Sequence, residues 1–99
     1  MRRLENILGL AKRARKLSTG DSVIEDIRKK KAKLVVICED ASDNTKKKLT
    51  DKCTFYGIPY VYIESSLILN HAIGSLNYMA VAVLEEGFAK TIETYLTKG

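Results

Sequence analysis

The sequence predicts an α/β fold, a three-layer α/β/α sandwich in which helices cover both faces of a small mixed sheet of about four strands. Two observations support this prediction. Short runs rich in apolar and β-branched residues, "LVVICE", "YVYIE" and "YMAVAVL", are typical of strands that are buried by flanking helices. They alternate with segments whose apolar residues recur at helical spacing, and this alternation is typical of layered α/β proteins.

The first third of the chain predicts two helices separated by a turn. The N-terminal segment has the pattern of an amphipathic helix with a basic face, ending at residues 16–17. "STG" predicts a turn, because Gly20 can adopt a positive φ at no steric cost, and "KLS" is compatible with a short edge strand. The second helix is expected to begin at Asp21 or Ser22, since Ser22 and Glu25 match the capping-box pattern.

The remaining elements follow in alternation, with helix ends marked by small polar residues and glycines. In order, they are a strand at 34–39, a helix capped by Ser42 or Asp43 and ended by Gly57, a strand at 60–64, a short helix ended by Gly74, a strand at 78–84, and a closing helix marked by Phe88, Ala89, Ile92 and Leu96.

Length and composition indicate a single domain that spans residues 1–99. The chain has 45% hydrophobic and 29% charged residues, which is ordinary for a soluble protein. No apolar run approaches the roughly 18 residues that a membrane helix needs, and the N-terminus lacks the pattern of a cleaved signal. We therefore expect a cytoplasmic protein that acts as a monomer.

Positive charge is concentrated in the first third of the chain. Residues 1–33 contain eleven Lys and Arg against four Asp and Glu, whereas residues 34–99 contain six against eight. The basic part calls for an acidic partner. Nucleic acid is the usual one for an isoelectric point near 9.3, although an anionic membrane surface would also satisfy the electrostatics.

Signals for catalysis or metal binding are weak. Cys38 and Cys53 are expected to be reduced and buried, and His71 has no nucleophile at a spacing that suggests a dyad. The adjacent acids Glu39 and Asp40 are expected to cap a helix or to stay solvated. The glycines form no phosphate-binding loop. We therefore expect no catalytic residue, no metal and no cofactor.

The start of the second helix is the candidate site. A helix N-terminus that follows a glycine turn offers backbone N–H groups to an anion or to base edges. Cations lie on both sides of it in the sequence: Lys16 before it and the basic block 28–33 after it. Phosphate contacts would anchor a polyanion, while Thr19, Asp21 and Ser22 approach the bases. The alternative is that the basic block is a solvated helix end that complements the dipole.

Four motifs together resemble one known family. "LGLAKRARKLSTG", "AKLVVICEDAS", "YGIPY" and the pattern L-x-x-A-x-G at residues 69–74 resemble the ribosomal protein L7Ae family, and most closely its small bacterial YlxQ-like members. The resemblance extends from about Leu4 to Ala89. It implies an α/β/α sandwich that binds the kink-turn of RNA, a sharp bend with tandem sheared G·A pairs and an extruded nucleotide.

The resemblance also implies two RNA-binding regions. The first, which enters the groove at the G·A pairs, comprises Thr19, Gly20, Asp21, Ser22 and Glu25, with Lys29 toward the phosphates. Lys16 and Arg28 are added as candidate RNA contacts because of their charge and their place beside the turn, not because of the resemblance. The second packs on the extruded base and comprises Ser75, Leu76, Asn77, Tyr78 and Met79. Tyr78 is the better candidate for base stacking, whereas Met79 fits a core role and an RNA contact equally well.

The first region departs from the family pattern. Asp21, Ser22 and Glu25 stand where members tend to have Asn, Glu and Lys, and Asn70 stands where Gly is common. Carboxylates only accept hydrogen bonds, so they cannot read O6 and N7 of guanine, although they can accept from its amino and imino edge. Either the RNA is read differently, chiefly through backbone N–H groups and the Ser22 or Thr19 hydroxyls, or specificity is weaker than in the relatives. The prediction is a non-catalytic RNA-binding protein. The alternatives are a protein–protein interaction module that uses the basic face, and a small enzyme that uses Cys38, Cys53 or His71.

Overall fold

The computed structural model describes residues 2–97, with the side chains of residues 3–97. These residues form five helices and four strands. In chain order they are α1 (Arg2–Arg13), β1 (Leu17–Thr19), α2 (Ser22–Arg28), β2 (Leu34–Cys38), α3 (Asp43–Tyr56), β3 (Tyr60–Ile63), α4 (Ser66–Ile73), β4 (Ala80–Val83) and α5 (Glu86–Thr97).

The four strands form one mixed sheet in the order β1-β4-β2-β3. β4 runs antiparallel to both of its neighbours, with Thr19 opposite Val81 on one side and Val36 opposite Val81 on the other. β2 and β3 are parallel, and α3 forms the crossover between them. The strands are short because each only has to span a small hydrophobic core.

Two hydrophobic cores lie on opposite faces of the sheet. Since successive side chains of a strand point to opposite faces, alternate residues of β2 enter different cores. Leu34 and Val36 pack with α1, α4 and α5, whereas Val35 and Ile37 pack with α2 and α3. All five residues of β2 are fully buried. The predicted three-layer sandwich with four strands is thus confirmed.

α1 ends earlier than predicted, at Arg13 and not at residues 16–17. The chain leaves the helix through Arg15, whose φ is 61°. The N–H of Arg15 donates to the carbonyl of Lys12 (3.0 Å) and that of Lys16 to the carbonyl of Ala11 (2.9 Å). This pair of hydrogen bonds is a Schellman motif. The prediction was wrong because the motif usually contains glycine, and none is present here.

α2 ends in the same way. Lys30 has a φ of 58°, its N–H donates to the carbonyl of Ile27 (3.0 Å), and the N–H of Lys31 donates to that of Asp26 (2.9 Å). A cation therefore occupies the left-handed position at the end of both helices. The predicted strand at "KLS" is present as β1, which lies between these two helices along the chain.

α2 begins at Ser22, as predicted, but its N-cap differs from the predicted capping box. Asp21 is the N-cap, with helical φ and ψ of −64° and −22°, and its side chain makes no capping bond. Ser22 is already helical, so the predicted capping box between Ser22 and Glu25 is wrong. Glu25 instead faces the C-terminal end of the helix, where its carboxylate lies 3.7 Å from Arg28 and 3.6 Å from Lys29.

The other helix ends follow the sequence signals. The Ser42 side chain accepts a hydrogen bond from the N–H of Thr45 at 3.2 Å, and the left-handed Gly57 and Gly74 end α3 and α4. The last strand is shorter than the predicted 78–84, because Tyr78 and Met79 precede it in a loop. Within residues 2–97, no helix combines the length and apolar character required to cross a membrane.

Candidate functional site

Parts of the two predicted RNA-binding regions, the turn after β1 and the loop before β4, meet on one side of the molecule. The antiparallel pairing of β1 with β4 places the turn after β1 beside the loop before β4, with Thr19 opposite Val81 at the junction. Between them lies a cleft of about 500 Å³, here called the main cleft. Its lining comprises Gly20, Asp21, Val23, Ile24, Thr45, Lys48, Leu49, Asn77, Tyr78, Met79 and Ala80.

The turn at the start of α2 is exposed. Gly20 has a φ of 60°, and its carbonyl accepts a hydrogen bond from the N–H of Val23 at 3.2 Å. Gly20, Asp21 and Ser22 all lie at the surface, while Thr19 is half-buried at the end of β1. Polar side chains and backbone of this turn can therefore reach a ligand in the main cleft.

A buried asparagine on α4 holds the loop on the other side of the main cleft. The side-chain oxygen of Asn70 accepts from the N–H of Tyr78 (2.9 Å), and its nitrogen donates to the carbonyls of Tyr78 and Ser66 (both 2.8 Å). Asn70 is only 5% exposed. The amide thus fastens the loop backbone and leaves the loop side chains free.

Side chains of this loop present an aromatic ring and two apolar groups to solvent. Tyr78 is half-buried, and a methyl group built on Gly20 would lie 3.5 Å from its Cε1 atom, so the ring lies against the turn. Leu76 is 88% exposed and Met79 38% exposed. The carbonyl of Met79 accepts from the N–H of Cys38 at 2.9 Å. Met79 therefore continues the sheet through its backbone while its side chain lines the cleft, and Ser75 and Asn77 lie nearby in the same loop.

The predicted cations do not line the main cleft. The carbonyl of Lys16 bonds the N–H of Leu84 (2.7 Å), and the N–H of Lys33 bonds the carbonyl of Val83 (2.7 Å). Both lie at the C-terminal end of β4, opposite the end that the cleft occupies. We call this cationic region the basic end, and it comprises Arg15, Lys16, Arg28, Lys29, Lys30, Lys31 and Lys33, all of which are exposed.

The cleft has a cation that the sequence interpretation missed. Lys48 and Thr45, both on α3, line the main cleft. The run "KKK" at 46–48 was a signal, since it lies one turn after the Ser42 cap. The buried Leu49 indicates which face of α3 carries the neighbouring lysines. The sequence does not indicate that α3 lies beside α2, because only the packing of the second core brings the two helices together.

Comparison with known proteins assigns the family. The family model described as "Ribosomal protein L7Ae/L30e/S12e/Gadd45 family" matches residues 2–93. The chain belongs to this family. The L7Ae-family match covers both sides of the main cleft as well as the basic end.

Relatives within the L7Ae family are similar over most of their length. The chain is 50% identical to "RNA-binding protein YlxQ" of Bacillus subtilis (strain 168) over 91% of each chain. It is 43% identical to the protein of the same name from Enterococcus faecium, over 86% of this chain and 82% of that one. The predicted resemblance to YlxQ-like members is thus confirmed.

Solved structures support the same fold. A Bacillus halodurans protein of unknown function superposes with a TM-score of 0.90 at 35% identity, over 95% of this chain and 96% of the other. The Giardia lamblia 15.5kD RNA binding protein superposes with a TM-score of 0.79 at 22% identity, over 96% and 85%. At that identity the second likeness concerns the fold alone.

Neither thiol of this L7Ae-family protein is placed to act as a nucleophile. Cys38 and Cys53 are fully buried in cores on opposite faces of the sheet, so they cannot bond each other. Burial, with a smaller contribution from Asp40, raises the pKa of Cys38 to about 12, and burial raises the pKa of Cys53 to about 11. At neutral pH both groups are uncharged thiols, and the thiolate is the reactive form.

Asp40 and His71, both singled out in the sequence, have side-chain partners. Asp40 accepts hydrogen bonds from the hydroxyl (2.6 Å) and N–H (2.9 Å) of Ser66 at the start of α4, and these bonds lower the pKa of Asp40. His71 lies 3.2 Å from Glu5 on the surface. No cluster of three metal-ligating side chains exists among residues 3–97.

Proposed function

We propose that this protein is a non-catalytic RNA-binding domain that recognises kink-turn-like structured RNA through the main cleft. One observation supports the proposal above the others. The turn 19–22 and the loop 75–79 are far apart in sequence, yet they face each other across one cleft. The family resemblance implies RNA contacts for both segments, and two similar proteins carry the name "RNA-binding protein YlxQ".

Readout of the RNA would come from the turn and the loop together. The exposed carboxylate of Asp21 accepts hydrogen bonds from the amino and imino edge of guanine, and the hydroxyls of Thr19 and Ser22 add short polar contacts. Glu25 does not line the main cleft and instead faces Arg28 and Lys29. On the opposite side, an extruded base packs against Leu76, Met79 and the ring of Tyr78, as unstacked bases in RNA complexes commonly do. Because Asn70 fastens the loop, little ordering is required on binding.

Affinity would come from cations at two places. Lys48 lies in the main cleft itself, whereas the basic end lies beyond the other end of α2, about 10 Å along the helix. Glu25 pairs with Arg28 and Lys29 at distances of 3.6 Å or more on the surface, and such pairs contribute about 0–1 kcal/mol. RNA phosphates can therefore replace the Glu25 carboxylate as the partner of Arg28 and Lys29 with little loss of free energy.

The proposal also covers the domain organisation, location, oligomeric state, cofactor and partner of the protein. Residues 1–99 act as one domain, the protein is a cytoplasmic monomer, and it needs no cofactor. Structured RNA, ribosomal or ribosome-associated, is the partner. Buried, uncharged thiols are consistent with binding without catalysis.

The direct test compares two RNAs at one fixed salt concentration. One contains a kink-turn, and the other is identical except that its G·A pairs are replaced by Watson–Crick pairs. We expect tighter binding of the kink-turn RNA in a titration followed by fluorescence anisotropy. Equal affinities would reduce the activity to general adhesion of a basic protein and would overturn the proposal of kink-turn recognition.

Two variants locate the binding surface. Lys29→Ala should lower affinity for both RNAs and reduce the dependence of log K on log salt by about 0.7–0.9, the contribution of one phosphate contact. Asp21→Ala should change the preference between the two RNAs more than the affinity itself. Lys90→Ala, which removes an exposed charge from α5 on the other face of the sheet, is the matched control. If both test variants behave like this control, the proposed surface is wrong.

A further inference from the structure

We propose that the RNA-binding surface continues beyond the main cleft along α3, where Phe55 stacks on an unpaired nucleotide that flanks the structured RNA. This inference rests on the proposed RNA-binding function and extends its footprint. It starts from an exposed aromatic ring: Phe55 is 80% exposed, whereas its neighbour Tyr56 packs on the second core. Exposure of a phenylalanine ring to water is unfavourable, so the position suggests a partner.

The Phe55 ring is held in place although it is exposed. Its centroid lies 4.9 Å from that of Tyr56, and the two planes are inclined by 79°, an edge-to-face arrangement. Tyr56 is itself half-buried, so it supports Phe55 from the side of the core. With 80% of Phe55 exposed, a face of the ring remains free for a planar group to stack on.

Charge around the ring favours a nucleic-acid strand. Phe55 lines a cleft of about 580 Å³ together with Lys48, Lys52, Asp51 and Tyr56. The carboxylate of Asp51 is engaged by Lys47 at 3.1 Å. Lys48 and Lys52 form no ion pair within the described residues, so their charges remain available. Cations beside an exposed aromatic ring are the combination that single-stranded RNA prefers.

The second cleft adjoins the main cleft. Lys48 lines both of them. Lys48, Lys52 and Phe55 follow one another at spacings of four and three residues, so they form one stripe along α3. Phe55 lies about 10 Å beyond Lys48 along the helix axis. An RNA strand that leaves the main cleft past Lys48 would therefore pass Lys52 and reach the ring of Phe55.

The test uses a kink-turn RNA with and without a short unpaired oligoadenosine extension, placed at either end in turn. Wild-type protein should bind one of the extended RNAs more tightly than the blunt RNA. Phe55→Ala should lose that gain, about five- to tenfold, from the lower half of the range for base–aromatic stacking, and should bind the blunt RNA as wild type does. Lys52→Gln should weaken binding of the extended RNA and make it less sensitive to salt.

Further variants separate stacking from other roles. Phe55→Trp should retain the gain, whereas Phe55→Leu, which is apolar but has no π face, should lose it. Tyr95→Ala removes a partly exposed ring from α5 on the other face of the sheet and is the matched control, which should behave like wild type.

Three outcomes would overturn the inference. They are equal binding of blunt and extended RNA by wild type, retention of the gain by Phe55→Ala, and an effect of Phe55→Ala on self-association or protein capture without any effect on the extended RNA. Kink-turn recognition is judged on the blunt RNA alone. Failure of the proposed function therefore appears there, and failure of this inference appears only with the extensions.

Discussion

At the scale of the residue, Asn70 shows how one side chain shapes the candidate site. Its amide nitrogen donates to two backbone carbonyls, one in the loop and one in α4, and its oxygen accepts from a backbone N–H of the loop. The side chain is buried, with 5% of the residue exposed. A smaller residue at this position would leave the N–H and C=O of Tyr78 without this partner. Unpaired polar groups inside a protein are costly, so the asparagine stabilises both the fold and the loop geometry.

Asn70→Ala is therefore expected to lower the free energy of unfolding by about 1–3 kcal/mol, the cost of leaving buried backbone groups unpaired. Urea denaturation followed by circular dichroism measures the loss. Asn77→Ala, in the exposed part of the same loop, is the control and should remain within about 0.5 kcal/mol of wild type. Equal midpoints for the two variants would contradict the role given to Asn70.

At the scale of the element, the ends of α1 and α2 combine backbone strain with positive charge. Arg15 and Lys30 adopt φ values of 61° and 58°, in the left-handed region, which is unfavourable for residues other than glycine. Both belong to the basic end, where two helix C-termini and their cations meet at the end of β4. The arrangement sacrifices some stability and keeps a charge at each position where glycine would carry none.

Lys30→Gly should accordingly stabilise the protein by about 0.5–1 kcal/mol, since the relief of left-handed strain exceeds the added entropy of glycine in the unfolded chain. It should also weaken RNA binding through the loss of one charge. Lys31→Gly is the matched control, because it removes the same charge and adds the same glycine at a position without positive φ. It should destabilise the protein. Destabilisation by Lys30→Gly in thermal unfolding would contradict this account.

At the scale of the whole molecule, the sheet separates two cores and buries one cysteine in each. Cys38, on β2, lies in the core beneath α1, α4 and α5, and Cys53, on α3, lies in the core between the sheet and helices α2 and α3. Because the thiols are buried and their pKa values are raised to about 12 and about 11, access to them requires that the molecule open.

Alkylation by iodoacetamide should therefore be slow in the native protein and should not accelerate as pH passes about 8.5, where ordinary thiols ionise. In urea, both cysteines should react at the rate of a free thiol. Mass spectrometry of samples quenched over time counts the modified residues. Rapid stoichiometric modification without denaturant would show that a core opens locally, contrary to the packing described.

The sequence by itself determined the fold class, the order of the elements and most helix ends. These depend on local signals: apolar periodicity, the Ser42 cap, and glycines at Gly57 and Gly74 that adopt left-handed conformations. Motifs along the chain were also sufficient to indicate the family and the two candidate binding segments. Local signals failed at the end of α1, where Arg15 takes the left-handed position of the turn without the usual glycine.

Only the tertiary structure decided which parts of the surface lie together. Pairing of β1 with β4 places the turn at Gly20 beside Tyr78 and places Lys16 at the opposite end of β4. This pairing depends on contacts between residues that are far apart in the chain. The position of Lys48 in the main cleft, and of Phe55 in the second cleft, depends on how α3 packs beside α2. Short-range patterns carry no information on such contacts, because strand order and helix neighbours are chosen by the packing of the whole core.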